Sequence, residues 1–560
     1  MRLAVSVAES DPVLTEAAPT RARFDRVELA ALGVFALLSL WVLALDLWQV
    51  IAHGQVWTGT DGVYIVDQLQ YLAWIQSTAQ HGLAANLFVL RDTPADYFMP
   101  AVTISGLLVK LGMPAWLSLL LWKPVALAAT FFGFRAYIHA SLPGRTARRA
   151  ALVLALFFGS VSVLYGAVSI VGDLMPAFLS WGYTFGLIAL GMMAIALVLY
   201  ARARDQGRVT WVPGVLGAVG ALLHPWQAEQ LIVIVVLAEA VAWALTRRAP
   251  WRHERGWWTG LGTPLLTLAI SGLGVLYYAI LGKADLSWRL AQQASRHDLT
   301  LWPILLAIAP LVLPALLAWR PPRLTMMAIV NRVWLPAAIV ISILSATAAG
   351  ATPLHAFQGI TLPLGILAVE GVGRLGQLRS GHWGRLPAVR LLRRPRRRYA
   401  LGILAVAVLT LPGTIMLLFY APPLVKPTPD NANFISKSER DALRYLAKDP
   451  QSGGVLTRSY LGAAVPGLTG RRTLIGDCLW SEPGCYTRTD NAEYLFDGTM
   501  KGAAARAFVR ASGARFLLTD CETSAPLRST LQSMVVDVHT FGCSSVIELD
   551  APRPPTGPDA

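Results

Sequence analysis

Residues 29–52, LAALGVFALLSLWVLALDLWQVIA, run straight into residues 53–72, HGQVWTGTDGVYIVDQLQYL, and this junction decides how the rest of the chain is read. About 20 apolar residues cross a bilayer as a helix, so the first segment is long enough to span. The second is polar, turn-forming and acidic, so it belongs to an aqueous face. Working outward, further apolar stretches fall at 115–139, 150–171, 184–201, 212–223, 229–245, 259–281, 301–319, 333–348, 358–372 and 401–420. Backbone polar groups have to be paired within hydrocarbon, so each stretch reads as helix, giving about eleven spans.

Composition agrees. The 560 residues are 55% hydrophobic and 14% charged, with a mean hydropathy of +0.51, which excludes an ordinary soluble fold. The net charge of +15 does not point to nucleic acid, because the arginines lie in short runs between apolar segments. Those runs, at Arg21–Arg26, Arg145–Arg149, Arg202–Arg208, Arg247–Arg255, Arg320–Arg332 and Arg374–Arg398, occupy every second loop. By the positive-inside rule the N-terminus is expected in the cytoplasm and everything after Tyr420 outside. Residues 1–27 are expected to be a disordered cytoplasmic tail with no secretory signal, 28–421 the membrane domain, 422–551 an outer domain and 552–560 a second disordered tail. The arginine-rich, lysine-poor composition is compatible with the plasma membrane of a bacterium.

All 4 cysteines, Cys478, Cys485, Cys521 and Cys543, fall in the outer domain. An oxidising exterior permits two disulfides in one of three connectivities, of which Cys478–Cys485 with Cys521–Cys543 is the expected one. The rival reading, zinc, lacks a CxxC pair and a histidine beside the first two cysteines. Within this domain, helices are expected at 436–448, 491–512 and 527–534, and strands at 454–457, 473–475, 515–519 and 545–549. The alternation argues for a small α/β domain, and it carries no GxGxxG, P-loop or nucleophile-elbow signature.

The loop at 53–114 is longer than a helix connection needs, which marks it as functional. Within it Asp67 opens an amphipathic segment running to Gly82 and expected to lie at the outer interface. Asp67 is the first candidate for a general base, although an aspartate there also suits a helix N-cap. Asp61, in the turn-like Thr-Asp-Gly, is the second, with a structural role as its alternative.

The pattern Asp67-Gln68-x-x-Tyr71-Leu72, followed by a helix ending near His81-Gly82, resembles the first outer loop of the GT-C type membrane glycosyltransferases. Met99-Pro100 and Trp122-Lys123-Pro124 are similar to the second-helix region of the protein O-mannosyltransferase-like branch. The resemblance implies a mainly α, polytopic transmembrane bundle with a C-terminal extracytoplasmic α/β domain. It also implies transfer of a sugar from a polyprenyl-phosphate donor to a hydroxyl of a glycan, glycolipid or protein on the outer face, with membrane lipids as the surrounding partner. Gln68 stands where many relatives have glutamate, and a carboxylate plus an amide is a poor divalent-ion site, so no cofactor is certain and a divalent metal is possible but not favoured.

Other outer-face groups rank behind Asp67. Two tetrads, His224-Pro225-Trp226-Gln227 (with Glu229 following) and His355-Ala356-Phe357-Gln358, sit at the same depth and offer imidazole and amide groups to a phosphate or sugar, or act as interfacial anchors. Tyr71 accompanies Asp67. The basic outer loop with Lys283, Arg289, Arg296 and His297 is either a phosphate contact or a solvated face. Asp173 is a weaker acceptor-binding candidate. The competing functions are a transporter or flippase of a lipid-linked substrate and a non-catalytic GT-C-like envelope assembly protein; no internal repeat beyond the two tetrads favours transport.

Overall fold

The computed structural model of the chain describes residues 24–165, 168–246, 257–295, 301–321, 324–346, 352–375, 395–428 and 431–550. Most of both expected tails, Arg296, His297 and much of the basic runs lie outside these residues.

The chain enters through α1 (Arg26–His53), whose Asp25 N-cap and Glu28 form a capping box that satisfies its first amides. It then forms α2 (Ile65–His81), α3 (Pro100–Lys110), α4 (Ala115–Leu120), α5 (Trp122–Ser141), α6 (Arg145–Phe157), α7 (Val168–Leu174) and α8 (Pro176–Leu179). The second half of the bundle is α9 (Thr184–Gln206), α10 (Val212–Leu223), α11 (Pro225–Thr246), α12 (Trp257–Ala284), α13 (Leu286–Ala294), α14 (Leu301–Leu316), α15 (Met326–Ser345), α16 (Thr361–Leu375) and α17 (Pro395–Leu424).

Among the described residues seven helices are long and apolar enough to cross a membrane, and eight if Ala400–Leu411 and Gly413–Leu424, bent by 45°, count as one span. Of the remaining expected spans, 212–223 and 301–319 are short apolar helices. The stretch at 150–171 is interrupted after Phe157, where Ser160 adopts a positive φ and its hydroxyl both donates to the Ala307 carbonyl and accepts from the Ser162 amide. A buried side chain that satisfies the freed backbone makes such a break tolerable inside a bundle.

The basic segments gather at one end. Asp25 takes Arg145 and Arg149, and Glu28 takes Arg135 and His139. Asn331 reaches Ser141, Asp205 accepts from the Met326 amide, Arg204 pairs with Glu239, and Arg332 with Glu370. At 28 residues α1 is about 42 Å long. Its far end leads into β1 (Val56–Trp57), which pairs antiparallel with β2 (Phe434–Ile435) beyond α17. The arginine-rich end and the C-terminal domain therefore sit at opposite ends of α1.

That domain holds α18 (Lys437–Lys448), β3 (Val455–Leu456), α19 (Ser459–Thr469), α20 (Cys485–Phe496), α21 (Gly502–Ser512), β4 (Phe516–Thr519), α22 (Leu527–Thr530), β5 (Val535–Phe541) and β6 (Ser544–Leu549). Its sheet runs β3-β4-β6-β5, parallel at β3–β4 and antiparallel elsewhere. The expected α/β character is present, with three differences in detail. The helix expected at 491–512 is two helices, because Asp497 turns back to accept from the Thr499 amide. The strand expected at 473–475 is a single bridge, since the Thr473 amide donates to Leu87 of the first loop instead. The sheet also gains β5, for which no strand was expected. Both expected disulfides form, Cys478–Cys485 and Cys521–Cys543.

Candidate active site

The stretch from the end of α1 into the first turn of α2 contains two aspartates six residues apart, and the structure gives them different surroundings. Asp61 is 4% exposed and ion-paired with Lys123 of α5, whose ammonium also donates to the Ser180 carbonyl at 2.8 Å. The Gln68 amide closes on the Asp61 backbone, accepting from its N–H at 2.7 Å and donating to its carbonyl at 2.6 Å. A carboxylate at position 68 would lack the donor for the second bond. Asn433 completes the clasp, holding Asp46 of α1 at 2.6 Å, Trp57 at 3.1 Å, and the Thr58 amide through its own carbonyl. Asp61 thus fastens the loop to α5, and Asn433 fastens it to α1 and to the residues after α17.

Asp67 lies in the first turn of α2, but the N-cap is Tyr64, which makes no side-chain cap bond. The carboxylate is therefore not used to start the helix. Tyr183, immediately before α9, donates to it, and burial pushes its pKa up to about 6. The helix is not laid on an open surface as the sequence pattern implied. It is sandwiched between the bundle and α19, because Gly467 lets the outer domain approach so closely that a Cβ there would stand 2.8 Å from the Cβ of Leu72.

Rings and carboxylates continue from Asp67 in two directions. Toward the bundle, Tyr183 meets Tyr64 at 4.5 Å between centroids, His355 at 5.6 Å and His224 at 6.3 Å. The two HxxQ tetrads interlock. The His224 Nδ1 and the Gln227 Oε1 are 2.5 Å apart, Gln227 donates to Gln358 at 2.9 Å, and Gln358 donates to Asp173 at 2.8 Å. An amide oxygen accepts only, so the proton in the first contact belongs to Nδ1, and each glutamine serves as both acceptor and donor. His355 Nε2 stands 3.5 Å from the same Asp173 oxygen, and Trp226 meets the His355 ring edge-on at 5.8 Å. Burial pushes the Asp173 carboxyl up to about 7, against the pull of Gln358. Glu229 follows one turn into α11, partly buried, its side chain making no hydrogen bond among the described residues.

Toward the outer domain, Tyr71 packs edge-on against Phe185 at 4.9 Å. Asp477, on the segment before Cys478, is 5% exposed and close enough to Asp67 for the two to repel. Burial first and Asp67 second push it up to about 7. Among the described residues neither Asp67, Asp173 nor Asp477 pairs with a lysine or arginine. Lys283 and Arg289 are exposed on or beside α13.

The sequence reading brought together Asp67, Tyr71, His224, Trp226, Gln227, His355 and Gln358, which share one end of the bundle. It missed Tyr64, Tyr183 and Asp477. The first two stand just before apolar helices, where a tyrosine reads as an interfacial anchor; Asp477 was hidden beside a cysteine that was read for its disulfide alone.

No protein-family model matches the chain, and none of the curated proteins does. Solved structures do. An arabinofuranosyltransferase, AftD, from Mycobacteria superposes on 95% of the chain with a TM-score of 0.53 and 18% identity, the match covering 40% of that larger enzyme. The oligosaccharyltransferase of Archaeoglobus fulgidus in its apo form superposes on 88% of the chain and 70% of its own length, with a TM-score of 0.51 and 13% identity. The chain has the GT-C fold. At these identities the likeness speaks for architecture, and the roles of Asp67 and its neighbours rest on their chemistry.

Proposed function

We propose that this GT-C-fold protein is a membrane glycosyltransferase that moves a sugar from a polyprenyl-phosphate carrier to an acceptor hydroxyl, with Asp67 as the general base. The observation that carries this reading is the state of Asp67. It is available, because it does not cap its helix and pairs with no cation among the described residues, and it lies at the end of the bundle away from the arginine-rich face. In the proposed step Asp67 accepts the proton of the acceptor hydroxyl as that oxygen bonds to the anomeric carbon. The carbon–oxygen bond to the lipid phosphate breaks, and the phosphate leaves with the electron pair. Tyr64, His224 and the interlocked glutamines supply hydrogen-bond donors and acceptors that hold sugar hydroxyls and phosphate oxygens in register. The loop through Arg289 and Arg296 is the proposed source of positive charge for the departing phosphate. The two structural neighbours, each named for a sugar-transfer reaction, support the same class of chemistry.

The outer face is proposed to be extracytoplasmic, from the arginine runs and the two disulfides. The test is reconstitution of the full chain in proteoliposomes with undecaprenyl-phosphate-linked pentoses and hexoses, following products by mass spectrometry. Wild-type transfer that disappears in Asp67→Asn, with insertion and melting temperature retained, is the expected result; undiminished transfer by Asp67→Asn removes Asp67 from the mechanism.

A further inference from the structure

The arginine-rich end of the bundle carries a cavity that the proposed transfer does not use. It has a volume of about 310 Å³ and lies where α9 turns into α10. Leu199, Arg202, Ala203 and Gln206 form one wall, because residues three and four apart share a face of a helix. The other wall is the turn itself, from Arg208 to Thr210, with Val212 at the start of α10.

The turn is fixed by its backbone. Gly207 takes a positive φ of 60°, and the Gly207 and Arg208 amides close back on the carbonyls of Arg204 and Ala203. Thr263 of α12, 1% exposed, donates to the Arg208 carbonyl at 2.9 Å and accepts from the Thr210 amide at 3.0 Å. The side chains of this stretch then divide. Arg204 forks onto Glu239, and Asp205 accepts from the Met326 amide, so both are engaged by neighbouring helices. Arg202 and Arg208 are exposed and line the cavity, and among the described residues neither guanidinium has a carboxylate or hydrogen-bond partner. Among the described residues no acidic side chain lines the cavity.

We infer that this cavity holds the headgroup phosphate of an anionic phospholipid from the leaflet at the arginine-rich end. Two guanidinium groups on one cavity match the oxygens of a phosphodiester. Leu199, Ala203, Val209 and Val212 give the same cavity an apolar side, which suits the glycerol and the first acyl carbons. A free anion has no use for that surface. Trp211, 58% exposed beside the 37% exposed Val212, sets the rim at the depth where indoles sit between headgroups and chains. The Thr210 hydroxyl accepts from the Val212 amide, which leaves its O–H to donate to the headgroup. The inference is independent of the transferase reading, since Asp67 lies at the other end of the bundle.

Native mass spectrometry of the full-length protein tests this. The detergent-purified chain is titrated with dioleoylphosphatidylglycerol and, separately, with dioleoylphosphatidylcholine. Wild type is expected to retain one phosphatidylglycerol under conditions that strip phosphatidylcholine. Arg202→Gln/Arg208→Gln should weaken phosphatidylglycerol by about tenfold or more, because basic side chains near the membrane surface add to the attraction one by one. Both side chains are exposed, so the melting temperature should hold. Arg320→Gln/Arg374→Gln removes the same charge from the same end but outside the cavity, and should leave the affinity unchanged. Equal retention of the two lipids by wild type, or no loss in Arg202→Gln/Arg208→Gln, would overturn the proposal. An equal loss in Arg320→Gln/Arg374→Gln would do so as well, by showing diffuse attraction in place of a site. Displacement of the lipid by excess inorganic phosphate would reduce the cavity to a simple anion site and equally overturn it. The comparison of the two lipids is read in the wild-type chain, so it stands whatever the variants do.

Discussion

Asp61 and Asp67 share a residue type and a short stretch of sequence, yet one is ion-paired with a lysine and the other, among the described residues, is not. Around Asp61 a lysine supplies the counter-charge: Lys123 pairs with its carboxylate, Gln68 binds its backbone, and Asn433 ties the loop to Asp46, Trp57 and Thr58. Around Asp67 three carboxylates gather with tyrosines, imidazoles and amides, and no lysine or arginine pairs with any of the three among the described residues. The first arrangement is what holding a loop requires. The second leaves carboxylate charge without a cationic partner beside hydrogen-bonding rings and amides, which is what a substrate uses.

The sharpest way to break this contrast is to neutralise each aspartate system in turn. Asp67→Asn should cost about 10²–10⁴ in transfer rate, the range for a general base, with little change in melting temperature. Lys123→Met should do the reverse. It strands a buried Asp61 carboxylate, for which a loss of about 3–5 kcal/mol is expected in thermal or denaturant unfolding, and the double variant with Asp61→Asn should recover part of it. If Asp61→Asn abolished transfer in a well-folded protein, the two roles would have to be exchanged.

A smaller effect tests how the site is shaped. Gly182 precedes Tyr183, and a Cβ on it would lie 2.6 Å from the Tyr64 ring. Gly182→Ala should therefore push Tyr64 off Tyr183, costing about 1–3 kcal/mol of stability and lowering transfer without removing any polar group. A variant with wild-type stability and rate would show that the tyrosine pair is not packed as tightly as the structure has it.

Why the sequence disclosed Asp67 but not its partners follows from range. The bundle was legible because apolar runs and arginine-rich loops are properties of contiguous residues, and α2 was legible because its period is local. The HxxQ tetrads were visible as a repeated pattern at equal depth, but their joining through Gln227, Gln358 and Asp173 depends on residues 131 and 185 positions apart along the chain. Asp477 lies further still from Asp67, and nothing near it in sequence advertises a buried carboxylate. The interruption of the stretch at 150–171 was equally hidden, since it depends on Ser160 meeting a carbonyl of α14. Asp61 was legible in part: its turn-like setting pointed to a structural role, whereas the lysine that pairs with it sits on another helix.

The mildest perturbation, pH, separates the two regions without a mutation. The Asp67 carboxyl is pushed up to about 6, and Asp173 and Asp477 to about 7, all from an ordinary value of 3.8. A base works only when ionised, so kcat/KM should fall about tenfold per unit as pH drops below about 6. Stability should move the other way. With the folded pKa raised above the unfolded one, the folded state holds extra protons between about 4 and 7, so its advantage is full below the unfolded value and is lost as pH rises through the folded one. Melting temperature should accordingly decline across the window in which activity rises. Asp67→Asn should flatten part of that decline, whereas a change in the Asp61 clasp should lower the whole curve and leave the contribution of Asp67 to its slope in place. Parallel rise of activity and stability with pH would mean that Asp67 is held ionised by a partner, and the distinction between the two aspartates would collapse.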